Sequence, residues 1–149
     1  SCNIHFAGFG FITKFNSVLV HLKLHNISMI KKILIIDDEA DIRFLLKRAL
    51  TSYNYYVCEA ENLKRGLEIY NEEHPDIVIL DLNLPDAIGI YYARKFKSET
   101  NIVIFMCADH DKLADGYKEA GANGFLKKPF VIDQLLSVIE KVNTTSTLN

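Results

Sequence analysis

The 149-residue chain has only three cysteines, Cys2, Cys58 and Cys107, at wide and unrelated spacings. They form neither a disulfide framework nor a zinc-ligand pattern, and reduced thiols in a cytosolic protein is the simpler reading. No apolar run reaches the roughly 18 residues that span a bilayer. The 17 basic and 19 acidic side chains leave a formal charge of −2, so there is no basic excess to drive unspecific binding to nucleic acid. Acidic residues are absent before Asp37. Residues 1–28, apolar and aromatic with no clear period, lack the basic start, apolar block and small-residue cleavage site of a secretory signal. They read as a leader, non-native or translated from upstream; a genuine extension packed on the domain and a targeting segment are the alternatives.

What is present begins at Met29. Hydrophobic residues make up 49% and charged ones 24%, as in a globular protein with one substantial core. Lys32–Ile36 and Ile77–Leu80 are short, unbroken apolar runs, the pattern of parallel strands buried on both faces. Residues 55–60, 102–106 and 125–126 supply three more strands. Between and after them, apolar residues recur at helical spacing: Ile42, Leu45, Leu46, Ala49 and Leu50; Leu63, Leu67 and Tyr70; Tyr92 and Phe96; Leu113, Tyr117 and Ala120; and Val131 to Val142. His74-Pro75 closes the second helix. Five strand–helix units predict an α/β fold, a doubly wound five-stranded parallel sheet with helices on both faces. The expected domain runs over 29–143, with 144–149 as a polar, frayed tail.

Ligands of such sheets bind beyond the carboxyl ends of the strands. Asp37 and Asp38 end the first strand and Asp81 ends the third. Neighbouring strands would bring the three carboxylates within a few ångströms, where mutual repulsion raises pKa values or recruits a cation. Oxygen donors without Cys or His favour a hard ion, Mg²⁺ above zinc. A lone Asp after a strand is more often a helix N-cap, and Asp38 or Glu39 could play that part; the trio at two strand ends argues otherwise. Lys127-Lys128-Pro129 follows the fifth strand. A cis bond before the proline would aim Lys128 over the carboxylates, with Lys127 facing solvent, whereas an exposed lysine before a helix-starting proline is the plainer alternative.

In that order and spacing, IIDDE, DLNLPDAIG and FLKKPF resemble the response-regulator receiver domains of two-component signalling, over roughly residues 30–142. The resemblance implies a flavodoxin-like fold of strand order 2-1-3-4-5 in a cytoplasmic phosphoprotein, with a sensor histidine kinase or phosphotransfer protein as phosphodonor. By the same resemblance, Asp81 matches the phosphoacceptor. Asp38, Asp81 and the main-chain carbonyl of Asn83 match direct ligands of Mg²⁺, and Asp37 a ligand acting mainly through water. Lys128 matches the motif lysine and Phe125 the aromatic switch position. Asn83 and Asp109 match positions tuning water access to the acyl phosphate.

One position departs: Cys107 stands where the family usually has Ser or Thr, and a thiol is the weaker donor. Phosphorylation is expected to survive with looser coupling to conformation. Such a domain modifies itself from a phosphodonor and resets by hydrolysis, without being a turnover enzyme. Its partner face, and a possible homodimer contact, is the fourth helix, fifth strand and fifth helix, with no direct nucleic-acid or membrane contact. A pseudo-receiver working without phosphate is the alternative. An Asp-nucleophile phosphohydrolase is disfavoured by Asn83, where such enzymes carry a second Asp. A flavodoxin is disfavoured because no phosphate-binding loop follows the first strand. No output segment follows the last helix in this sequence, so a stand-alone receiver and a fragment of a longer protein are both open.

Overall fold

Val, Ile and Leu fill the central strands because both faces of the sheet are covered. In the computed structural model, which describes residues 31–86, 91–97, 101–108 and 116–146, these strands are β1 (Lys32–Ile36), β2 (Tyr56–Ala60), β3 (Ile77–Asp81), β4 (Ile102–Cys107) and β5 (Gly124–Lys127). All pair in parallel, in the order β2-β1-β3-β4-β5. The helices are α1 (Ala40–Ser52), α2 (Leu63–Glu73), the single-turn α3 (Ala93–Phe96) and α4 (Ile132–Ser146). A compact unit starts at Lys31, close to the boundary expected at Met29.

Alternation along the strands sorts the core into two layers. Ile33, Ile35, Ile77, Ile79, Ile104 and Met106 pack with Leu46 and Leu50 of α1 and with Leu135 and Ile139 of α4. Leu34, Ile36, Val78, Leu80, Val103 and Phe105 pack with Leu63 and Ile69 of α2 and with Phe96 of α3. Gly66 lets α2 lie close: a Cβ there would stand 2.5 Å from Cδ1 of Ile36.

Element boundaries follow local chemistry. Asn62 caps α2 by accepting from the Arg65 N–H at 2.8 Å, and His74 ends it in the left-handed conformation at φ 47°, just before Pro75. The expected fourth helix is only partly covered: Leu113 lies outside the described residues, while Tyr117 and Ala120 lie in turns. Gly121, at φ 103°, leads from those turns toward β5. The last helix runs to Ser146, so residues 144–146 belong to α4 and not to the tail expected there. Val142 is buried near that end, and the Thr144 hydroxyl donates to the Lys141 carbonyl at 2.9 Å. Among the described residues, no helix is long and apolar enough to cross a membrane.

Candidate phosphoacceptor site

Because β1 and β3 are adjacent, with Ile36 opposite Leu80, their first residues beyond the apolar run emerge side by side. Asp37 is fully buried and Asp81 is 3% exposed, whereas Asp38 is open to solvent. One carboxylate oxygen from each of the three lies within 4.8 Å of the others. The β4–β5 pair ends with Cys107 opposite Lys127, and the Lys128 N–H donates to the Cys107 carbonyl at 2.9 Å. Lys128 precedes Pro129 through the cis peptide considered from the sequence; Lys127 is exposed.

Lys128 spans the cluster. Its ammonium donates to Oδ2 of Asp37 at 2.8 Å, Oδ2 of Asp81 at 2.5 Å and Oε1 of Glu39 at 3.1 Å. The remaining oxygens of the two buried acids are bound by main chain. Oδ1 of Asp37 accepts the Glu39 N–H at 2.8 Å, and Oδ1 of Asp81 accepts the Asn83 N–H at 2.9 Å. Of the two residues considered as caps, Glu39 stands at the N-cap of α1 but makes no side-chain cap bond.

Burial pushes the Asp37 carboxyl above its usual range, against the Lys128 and Glu39 hydrogen bonds that pull it down. Burial also works against the Lys128 charge, but its bonds to Asp37 and Asp81 outweigh that and hold the ammonium well above an ordinary lysine. The two shifts differ in cause: burial dominates at Asp37, whereas carboxylate partners hold Lys128, whose one ammonium is shared by Asp37, Asp81 and Glu39.

Such a cluster fits a small hard cation. Its donors are all carboxylate oxygens, one from each acid within 4.8 Å of the others, with no Cys or His among them. Asp37, Asp38 and Asp81 can supply the charged oxygens, while the Asn83 side chain is exposed beside them. Cys107 is 3% exposed and belongs to the apolar layer with α2 and α3, since alternation along β4 turns it away from the layer of Met106. Phe125, half-buried on β5, stacks on Tyr117 at 6.2 Å between ring centroids. Asp109 lies outside the described residues.

Three residues escaped the sequence reading. Glu39 reaches Lys128, as above. The Arg43 guanidinium donates to the main-chain carbonyls of Asp37 at 2.8 Å and Asp38 at 3.0 Å. Asp86, from the loop after β3, accepts the Leu63 and Lys64 N–H groups at 3.1 Å each, tying that loop to the start of α2. The IIDDE motif includes Glu39 and DLNLPDAIG includes Asp86, though neither motif names the partner, and nothing local marks Arg43.

A doubly wound sheet with acids at the ends of β1 and β3 and a lysine after β5 defines a class of phosphate-handling signalling domain. The family model for the response regulator receiver domain matches residues 33–140, and the chain belongs to that family of two-component signalling. It is 37% identical over 105 residues to the KDP operon transcriptional regulatory protein KdpE of Escherichia coli, covering 69% of this chain and 47% of KdpE. It is 32% identical over 117 residues to the chemotaxis protein CheY of Bacillus subtilis, covering 76% of this chain and 98% of CheY. Against several curated relatives, among them the transcriptional regulatory protein YxdJ of Bacillus subtilis at 48%, the chain spans about half their length. Among solved structures it resembles the response regulator TrrA of Thermotoga maritima in complex with Mg²⁺-BeF, at 33% identity and a TM-score of 0.67, covering 75% of this chain and 98% of TrrA.

Proposed function

We propose that Asp81 takes a phosphoryl group from the phosphohistidine of a sensor kinase or phosphotransfer protein, and that the acyl phosphate switches a partner-binding surface. The observation that carries this is Lys128, whose ammonium touches Asp37 and Asp81 together. An oxygen of Asp81 attacks phosphorus as the bond to the donor nitrogen breaks. The transition state of such transfers is loose, so the protein contributes position and positive charge. Lys128 moves from the Asp81 carboxylate to a phosphoryl oxygen as that oxygen arrives. Asp37, Asp38, Asp81 and the main-chain carbonyl of Asn83 would hold Mg²⁺, which when bound adds positive charge beside the phosphoryl oxygens. Water later cleaves the acyl phosphate, releasing inorganic phosphate and restoring Asp81, at a rate set in part by Asn83 and Asp109.

The receiver unit is taken as the expected 29–143 extended to 146, where α4 ends. Cys107 is assigned the position beside the phosphoryl group, Phe125 the aromatic switch, and the partner or homodimer face is taken as the expected fourth helix, only partly within the described residues, with β5 and the last helix, α4. TrrA was solved with Mg²⁺-BeF, a pairing in line with a similar pocket here. Cys107 is the feature that favours a phosphate-independent alternative, and the acids standing together with Lys128 weigh against it. Incubation with acetyl phosphate and Mg²⁺ is expected to retard the chain on a phosphate-affinity gel, and Asp81→Asn to abolish the retarded band. An unretarded wild-type protein defeats the proposal.

A further inference from the structure

Arg43 is out of place as a helix residue. It is the fourth residue of α1, in the turn where the helix dipole disfavours a cation. Its side chain turns back instead, and one guanidinium nitrogen donates to the carbonyls of both Asp37 and Asp38. Those carbonyls lie after the end of β1 and before the start of α1, so neither the sheet ladder nor the helix supplies their donors. The rest of the segment is tied as well. The Asp37 N–H donates to Ala60 of β2 at 3.1 Å, and the Glu39 N–H closes on the Asp37 carboxylate at 2.8 Å. Arg43 is half-buried, and its side chain grips the backbone of both acids.

From this we infer that Arg43 is a positioning residue for cation binding: it fixes the two consecutive residues whose carboxylates face the metal, without touching the metal. The inference rests on the proposal that the acidic pocket holds a divalent cation. It has an unusual diagnostic, because electrostatics and positioning predict opposite signs. Removing a positive charge close to a cation site tightens binding by Coulomb's law. Loosening the two ligand-bearing residues weakens it, as loss of supporting contacts does at metal sites generally.

Mg²⁺ alone is titrated into the full chain by calorimetry, with melting in EDTA measured in parallel. Arg43→Ala is expected to weaken Mg²⁺ binding roughly ten-fold. Arg43→Lys, which keeps both charge and donors, is expected to restore most of that loss. Should Arg43→Ala not fold, Arg43→Gln, neutral and too short to reach both carbonyls, carries the same test. Unchanged or tighter Mg²⁺ binding in the neutral variant overturns the inference, as does a fall in EDTA melting temperature with the affinity intact. Failure of the wild-type chain to bind Mg²⁺ overturns the cation proposal itself and this inference with it.

Discussion

Lys128 balances two buried acids, and its own substitution reports on that balance. In metal-free protein, Lys128→Met leaves Asp37 and Asp81 without their common partner and is expected to cost about 3 kcal/mol. Because the folded state holds the ammonium above its ordinary value of 10.5, the stabilisation is complete below that pH and is lost as pH rises through the higher folded value. The difference in melting temperature between wild type and Lys128→Met, followed in EDTA, should therefore be constant at neutral pH and shrink above pH 10.5; a gap that stays constant there rejects the ion-pair account. At Cys107, a hydroxyl in place of the thiol offers a better donor to a phosphoryl oxygen, worth about 1 kcal/mol. Cys107→Thr should raise the fraction of chain that switches on saturation with beryllofluoride and Mg²⁺, read from amide resonances around Phe125. An identical fraction shows that the thiol is not the weak link. Asp38, Asp81 and Lys128 could be singled out from the sequence because motif and strand ends coincide. Arg43 and Asp86 could not, since their partners are fixed by loop conformation and, for Asp86, by a contact 23 residues away.

At the level of elements, α2 lies close on β1 at Gly66. Alanine in place of a helical glycine normally gains about 1 kcal/mol. Gly66→Ala should lose stability instead, since its Cβ would meet Cδ1, Cγ1 and Cγ2 of the fully buried Ile36 at 2.5, 3.0 and 3.3 Å; overpacking of that kind costs about 1–3 kcal/mol. Denaturant unfolding measures the sign, and a gain would mean that Ile36 changes rotamer at little cost. The five strands were legible because unbroken runs of Ile, Val and Leu have few other uses. The end of the last helix was not: Asn143, Thr144 and Ser146 look like loop residues, yet burial of Val142 carries the helix past them. For the segment after β4 the apolar spacing suggested a helix, and glycines at 116 and 121 bracket the turns found there.

Over the whole molecule, the acidic pocket places like charges at the carboxyl edge of the sheet, and a bound cation relieves their repulsion. Since the ligands converge only in the folded chain, Mg²⁺ at a hundred times its dissociation constant should add about 2.7 kcal/mol. Thermal melts at rising Mg²⁺ should shift upward and saturate, whereas Asp81→Asn should show a smaller shift; no shift in wild type counts against the metal. Strand order was the global feature least accessible to periodicity, because alternating elements fit several arrangements. Family resemblance supplied 2-1-3-4-5, and that order places β1 beside β3.

The contact from Lys128 to Asp37 bridges 91 positions of chain. A ribosome that has made the first acids and the nucleophile has yet to make the lysine that completes them. On the proposed function, the growing polypeptide cannot accept a phosphoryl group until β5 and the lysine after it have been made. Under that proposal, an incomplete fold is also an uncharged one.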